Sequence, residues 1–342
     1  MVAARGRWLT RPSRLAGIGR RSARWILVAL ATMLLVAALA APEGATPPEF
    51  LHDAIVATLR HGGNFYGAAL DLLRTEPDAH AARLLPATLA VVESAIPGWV
   101  VTTLVAAALT LLVWSGGLRL GPLVSRTAGA VMVVGLLGAG VVAVAWLWLS
   151  APHAAAAALL MAIAIVARRP GQALTAAATA CAAALIDPAA LIGIAAMGAI
   201  ALLDGDRREQ MAWAGALALA GVAAGVHLHA LDGATFPSAA ITVDGAVGRL
   251  VGAAFPDIPA ALAAPLLVLS LLGWGTIGDS IGPRIVAVTI AGMALDGFMG
   301  MRSATLATAL IAPGVALAPG AIGDVLRAAS DRRRITVTRM AR

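Results

Sequence analysis

The sequence predicts an all-α fold: a polytopic transmembrane bundle of about ten spans, with a long first outer loop of interfacial helices. Three observations carry this reading. Hydrophobic residues make up 60% of the chain and charged residues 13%, with a mean hydropathy of +0.87, whereas a soluble domain carries nearer a quarter charged residues. The apolar residues run in stretches of helix length separated by brief polar marks. One interval, residues 42–97, breaks that rhythm with polar and charged residues and holds the only asparagine and the only tyrosine, Asn64 and Tyr66.

Taken in order, residues 1–24 form a basic tail with seven arginines and no acid, and 25–41 is an uncharged first span. Ala38-Leu39-Ala40 also fits a signal-peptidase site, and an uncleaved anchor serves equally well. In the outer loop, Phe50, Leu51, Ile55 and Leu59 recur at helical spacing between Glu49 and Arg60. Gly62-Gly63 breaks that helix, and Asn64 is placed to cap a second one bearing Phe65, Ala68, Ala69, Leu72 and Leu73. Two short amphipathic helices beside a membrane belong in its interface. The segment 83–96, with Pro86 and Glu93, leads into the second span.

Further spans are expected at 98–115, 127–149, 154–167, 173–186, 189–203, 211–229, 259–276, 284–300 and 304–319; those of 14 or 15 residues are short enough to be half-spans. A second outer loop, 230–258, contains a possible amphipathic helix from Val243 to Ala254. The bundle thus covers 25–319, and 320–342 is a second basic tail. Glycines at Gly221 and Gly225, and at Gly135, Gly138 and Gly140, are expected to bring helices into close contact.

Every one of the 25 basic residues is arginine. With ten crossings and both termini inside, 20 of them fall on the inner side and twelve of the 18 acids on the outer side. An excess of internal arginine is what orients a bacterial inner-membrane protein. The charge of +7 is therefore topological and implies no nucleic-acid partner, although basic ends also attract anionic membrane lipid.

Several chemistries are excluded. One cysteine, Cys181, forms no internal disulfide and no cysteine-based zinc cluster. A Walker loop needs the lysine this chain lacks, and no Gly-x-Ser-x-Gly elbow occurs. Gly273-x-Gly275-x-x-Gly278 matches the dinucleotide fingerprint by letter but follows no strand. His227 and His229 are two apart, so on a helix their rings point to different sides.

Candidates for chemistry lie on the outer side. Glu49 and Asp53 stand at i, i+4 and on a helix would share a face, as a general base or as ligands of a divalent cation, or simply as a solvated polar face. No other cofactor and no metal site is called for. Arg83, Arg249 and Arg302 are outward guanidiniums suited to a lipid phosphate, or to anchoring. Asp296 lies within a span, where an ionisable group needs a cavity or a partner; an ion pair with Arg302 is the alternative to a functional role. Asp187-Pro188 reads as a turn.

This order of parts resembles the GT-C superfamily of membrane glycosyltransferases: one span, a long outer loop with interfacial helices and an acid near its start, then a row of short spans. The resemblance implies transfer of a sugar from a polyprenyl-phosphate donor to a cell-envelope acceptor on the outer side. It places Glu49 or Asp53 in the catalytic acid's position, with Glu43 as an outsider. Gly62-Gly63-Asn64-Phe65-Tyr66 looks like the turn between the interfacial helices. Arg302 or Arg249 would answer to the group that binds the carrier phosphate. Asn64, Tyr66, Arg83 and Asp296 complete the expected substrate-binding set. No Asp-Asp, Asp-Glu or Glu-Asp pair marks the loop, and the chain is short for the superfamily. A transporter or a non-catalytic membrane subunit are the competing readings; the scarcity of polar residues within the spans argues against a hydrophilic pathway.

Overall fold

Fourteen α-helices appear among the residues that the computed structural model describes, which are 8–40, 49–75, 85–169, 171–231, 243–299 and 302–330. They are α1 (Arg20–Ala40), α2 (Phe50–Arg60), α3 (Phe65–Thr75), α4 (Thr88–Ala95), α5 (Gly98–Leu120), α6 (Thr127–Ser150) and α7 (Pro152–Ala167). There follow α8 (Ala173–Ile186), α9 (Ala190–Asp204), α10 (Arg207–Ala230), α11 (Val243–Ala254), α12 (Ala260–Thr276), α13 (Ile281–Met299) and α14 (Thr308–Ser330). The fold is all-α, with a lone antiparallel bridge between Leu9 and Val124.

Among the described residues, six stretches are helical, long and apolar enough to cross a membrane: Arg20–Ala40, Gly98–Leu123, Thr127–Ser150, Arg207–Ala230, Ile281–Phe298 and Arg302–Ser330. Four shorter apolar helices, α7, α8, α9 and α12, accompany them. Each predicted apolar stretch coincides with one of these helices. Burial sorts them. α7 is almost wholly buried, because its run of alanines lets α5, α6 and α8 come close. α1 and α5 lie at the periphery and expose Trp25, Leu39, Trp99, Trp114 and Leu118, the outward apolar surface a lipid solvent demands.

α14 runs through the core against α12 and α6 despite Pro313 and Pro319 inside it. A proline deprives a helix of a donor, and α12 supplies polar ties at that level. The Ser270 hydroxyl donates to the Ile311 carbonyl, and Trp274 Nε1 donates to the Leu310 carbonyl at 2.7 Å. Close approach here requires glycine: a Cβ on Gly273 would overlap the Gly314 carbonyl, and one on Gly140 the Ala309 carbonyl. Helix packing therefore accounts for Gly273 in the fingerprint-like run. The other expected glycine contacts are corrected. Gly135, Gly138, Gly221 and Gly225 all face open space, because α6 turns only Gly140 toward α14 and the α10 face carrying the latter pair is uncovered.

At the end opposite the long loop, a hub of charge ties four helices. Glu209 of α10 accepts from Arg168 Nε at 3.0 Å, Arg284 Nη2 at 3.2 Å and Trp213 Nε1 at 3.2 Å, while Arg284 also reaches Asp204 at 2.7 Å. The N-terminal strap laces the same end, with Trp8 Nε1 donating to the Ala316 carbonyl and the Ser13 N–H to Asp324.

Gly273→Ala should lower stability by about 1–3 kcal/mol through overpacking, whereas Gly221→Ala should leave it unchanged or raised. Thermal unfolding of the two variants in one detergent measures the contrast, and equal behaviour would refute the α12–α14 account.

Candidate functional site

The short helices α2, α3 and α4 rest on the bundle through a small core of their own: Ile55, Val56, Phe65, Ala69 and Ala90 close over Leu231 at the end of α10. Asn64 caps α3 by accepting the Gly67 N–H through Oδ1 at 2.6 Å. The predicted start of α2 is off by one residue, and that residue matters. Glu49 precedes the helix with φ −96° and ψ 61°, and its N–H donates to the Ser150 carbonyl at the end of α6, 2.8 Å away. Glu49 is therefore turned into the protein while Asp53, on the helix proper, is exposed. The expectation that the two acids share a face fails, because helical periodicity does not extend to a residue lying outside the helix.

Glu49 lands at the head of α7. Its Oε2 accepts from the backbone N–H of His153 at 3.3 Å and from Nδ1 of the same residue at 2.7 Å. A helix start has N–H groups without intrahelical acceptors and a positive dipole end; Ala151 offers no side-chain cap to α7, and Glu49 supplies the anion from afar. The other oxygen, Oε1, accepts from Arg302 Nη1. Arg302 opens a 3-10 helix, Arg302–Ala307, that folds back on α13 and is fixed by the Ser303 hydroxyl donating to the Gly292 carbonyl at 2.8 Å. The Glu49 and His153 side chains are each 5% exposed and Arg302 is 12% exposed, so the three meet almost out of water. Burial by itself would raise the Glu49 pKa; the side-chain and backbone hydrogen bonds from His153, with the Arg302 charge, outweigh it and hold the carboxyl below the usual range.

Two more ionisable groups line this cluster. His52, buried on α2, is 2.8 Å from Glu93 of α4, and its ring stands at right angles to that of His153 with centroids 4.8 Å apart. Asp187, in the turn after α8, is buried and accepts the Ala189 N–H at 2.9 Å. Burial pushes its carboxyl up, against the opposing pull of that N–H and of the Arg302 charge.

The remaining candidates are elsewhere. Arg249 of α11 grips Asp296 of α13 with two hydrogen bonds, 2.9 and 2.6 Å, so the expected alternative partner of Asp296, Arg302, is replaced by Arg249. The reason is the fold-back after α13, which carries Arg302 down to Glu49. Tyr66 bonds through its hydroxyl to Nδ1 of the buried His227 at 3.2 Å, while His229 is exposed. Asn64 is exposed and occupied with its cap. Arg83, Glu43 and much of the second outer loop lie outside the described residues. Among the described residues no group of three or more His, Cys, Asp or Glu side chains is placed to hold a metal ion.

Sequence reasoning missed His153, His52 and Glu93 as site members. The available signal was an imidazole directly after Pro152 at the mouth of an otherwise uncharged apolar stretch, and a second imidazole on the apolar side of α2 beside Ile55 and Val56. No known protein family, curated protein or solved structure matches the chain.

Glu49→Gln should cost about 3 kcal/mol at neutral pH, as expected when one partner of a buried pair is lost. Because the folded Glu49 pKa lies below the unfolded value near 4.5, its contribution is complete above that value and is lost as pH falls through the folded pKa. Melting temperatures of wild type and variant should therefore differ most at neutral pH and converge in acid. A gap independent of pH would contradict the assignment.

Proposed function

We propose that the chain is a GT-C-like transferase of the bacterial inner membrane, moving a sugar from a polyprenyl-phosphate donor to a cell-envelope acceptor on the outer side. The six long helices and four shorter ones act as ten crossings, with both termini inside and residues 42–97 outward, the arrangement that the arginine excess favours. The observation that supports the reading best is the meeting of Glu49, His153 and Arg302, from three distant parts of the chain, beneath the outer helix α2.

The division of labour follows from the hydrogen bonds. With Glu49 accepting at Nδ1 of His153, the neutral ring keeps its lone pair on Nε2. Nε2 takes the proton of the acceptor hydroxyl as its oxygen attacks the anomeric carbon, and the bond from that carbon to the carrier phosphate breaks. Arg302, whose fork suits a phosphate, receives the developing charge. Glu49 is the positioning residue: it sets the tautomer and holds the guanidinium in place until the phosphate arrives. Since α2 covers the cluster, the substrates gain access when the α2–α3 layer lifts from Leu231.

A second reading has its own support, in that both Glu49 oxygens are already paired. In that case the cluster is a clamp fastening α2 to a non-catalytic membrane subunit.

Transfer of labelled sugar from a polyprenyl-phosphate donor separates the two. His153→Ala should reduce turnover by about a hundredfold or more, the usual scale for losing a general base, while the variant keeps its fold by gel filtration and thermal unfolding. Arg302→Lys should raise KM for the donor. Unchanged transfer in a folded His153→Ala protein would eliminate the base assignment, and no transfer by the wild type from any polyprenyl-phosphate sugar would favour the clamp.

A further inference from the structure

Away from the outer cluster, the starts of α8 and α10 line a cavity of about 570 Å³ formed by 171–174, 206–209 and 211–212. Both helices begin there, so the cavity lies where two membrane helices emerge. Its wall is mostly apolar, from Ala173, Leu174, Met211 and Ala212, and at its rim Leu174 and Met211 are 74% and 75% exposed. Arg207 and Arg208 also line it, both exposed, and among the described residues neither guanidinium has a hydrogen-bonded or ionic partner.

The two acids in the wall are engaged. Glu209 is 1% exposed and committed to Arg168 and Arg284. Asp206 caps α10, its Oδ1 accepting the N–H groups of Arg208 and Glu209 at 3.1 Å each. What remains on offer is two guanidiniums without a partner among the described residues, lining an apolar cleft whose Leu174 and Met211 are exposed.

We propose that this cavity binds an anionic glycerophospholipid, with the phosphate between Arg207 and Arg208 and an acyl chain descending past Leu174 and Met211. Guanidinium pairs phosphate through matched hydrogen bonds. A soluble phosphate would satisfy the arginines but leave the apolar wall wet, and a zwitterionic lipid would bring a cation against them. The proposal is independent of the outer cluster and of any transfer reaction. It also assigns a use to α8, whose 14 residues span only about 21 Å. A helix so short ends below the headgroups of a bilayer core about 30 Å thick, and a headgroup drawn into the cavity fills that step.

The full chain in detergent, titrated with mixed micelles of phosphatidylglycerol or of phosphatidylcholine, can be read by native mass spectrometry for retained lipid. Two surface arginines should give phosphatidylglycerol a preference of about tenfold. Arg207→Gln with Arg208→Gln should shrink that preference to about twofold or less, while Arg207→Lys with Arg208→Lys keeps most of it. Met211→Asp should weaken phosphatidylglycerol retention with the arginines intact. Equal retention of the two lipids by the wild type, or an undiminished preference in the double glutamine variant, would overturn the proposal. So would displacement of the lipid by equimolar inorganic phosphate, which would make the site one for a soluble anion.

Discussion

The Glu49 carboxylate is held between the head of α7 and the Arg302 guanidinium, and the arrangement of this end of the bundle follows from that meeting. A carboxylate removed from water must be compensated on both oxygens or it neutralises. Here one oxygen takes an imidazole and a helix-start N–H and the other takes arginine. Satisfying both requires α2 to begin where it does, α7 to start directly beneath it, and the chain after α13 to double back. These three demands are met by elements separated by more than a hundred residues of sequence, so a single side chain coordinates the layer above the bundle with the bundle itself.

Ionisable groups are buried at both ends of α7, and that is the second organising feature. α7 has His153 in its first turn and Arg168 as the residue that caps its end, with 16 residues, or about 24 Å, between its ends. Arg168 enters the Glu209 hub with Arg284 and Trp213, and His153 enters the outer cluster. The middle of α7 has no polar side chain and is packed by alanine against its neighbours. Tight apolar packing in the centre with paired charge at each end gives rigidity without long side chains. Along α7 the ionisable groups are thus confined to its two ends.

Around this rigid part the short helices α2, α3, α4 and α11 are held more lightly. α2, α3 and α4 share a small core over Leu231, helped by Tyr66 to His227 and Arg60 to the Glu93 carbonyl. α11 is fixed by the bidentate pair between Arg249 and Asp296. Two separate groups of short helices therefore flank the cluster, each attached by a few contacts to the same core. Elements with few buried contacts are the ones that open at low free-energy cost, and a site covered by such an element is accessible without disturbing α7 or α14.

What the sequence by itself determined is the helical content, the position of each apolar helix, the cap at Asn64 and the bounds of α11. These depend on local periodicity and on solvent: in lipid an apolar stretch has no low-energy state except a helix. It also singled out Glu49 and Arg302 separately, as an outer acid and an outer guanidinium, since polar residues at a membrane boundary stand out against so apolar a chain. Only the tertiary structure decided that these two meet, that His153 rather than Asp53 is Glu49's neighbour, and that Asp296 belongs to Arg249. The same holds for the glycines, where identical letters at Gly140 and Gly221 end in contact and in open space. Pairing of charges across helices is settled by which faces oppose one another after packing, and by where a helix begins to within a single residue. Neither quantity is carried by local periodicity, because it depends on the contacts each helix makes with partners distant in the chain.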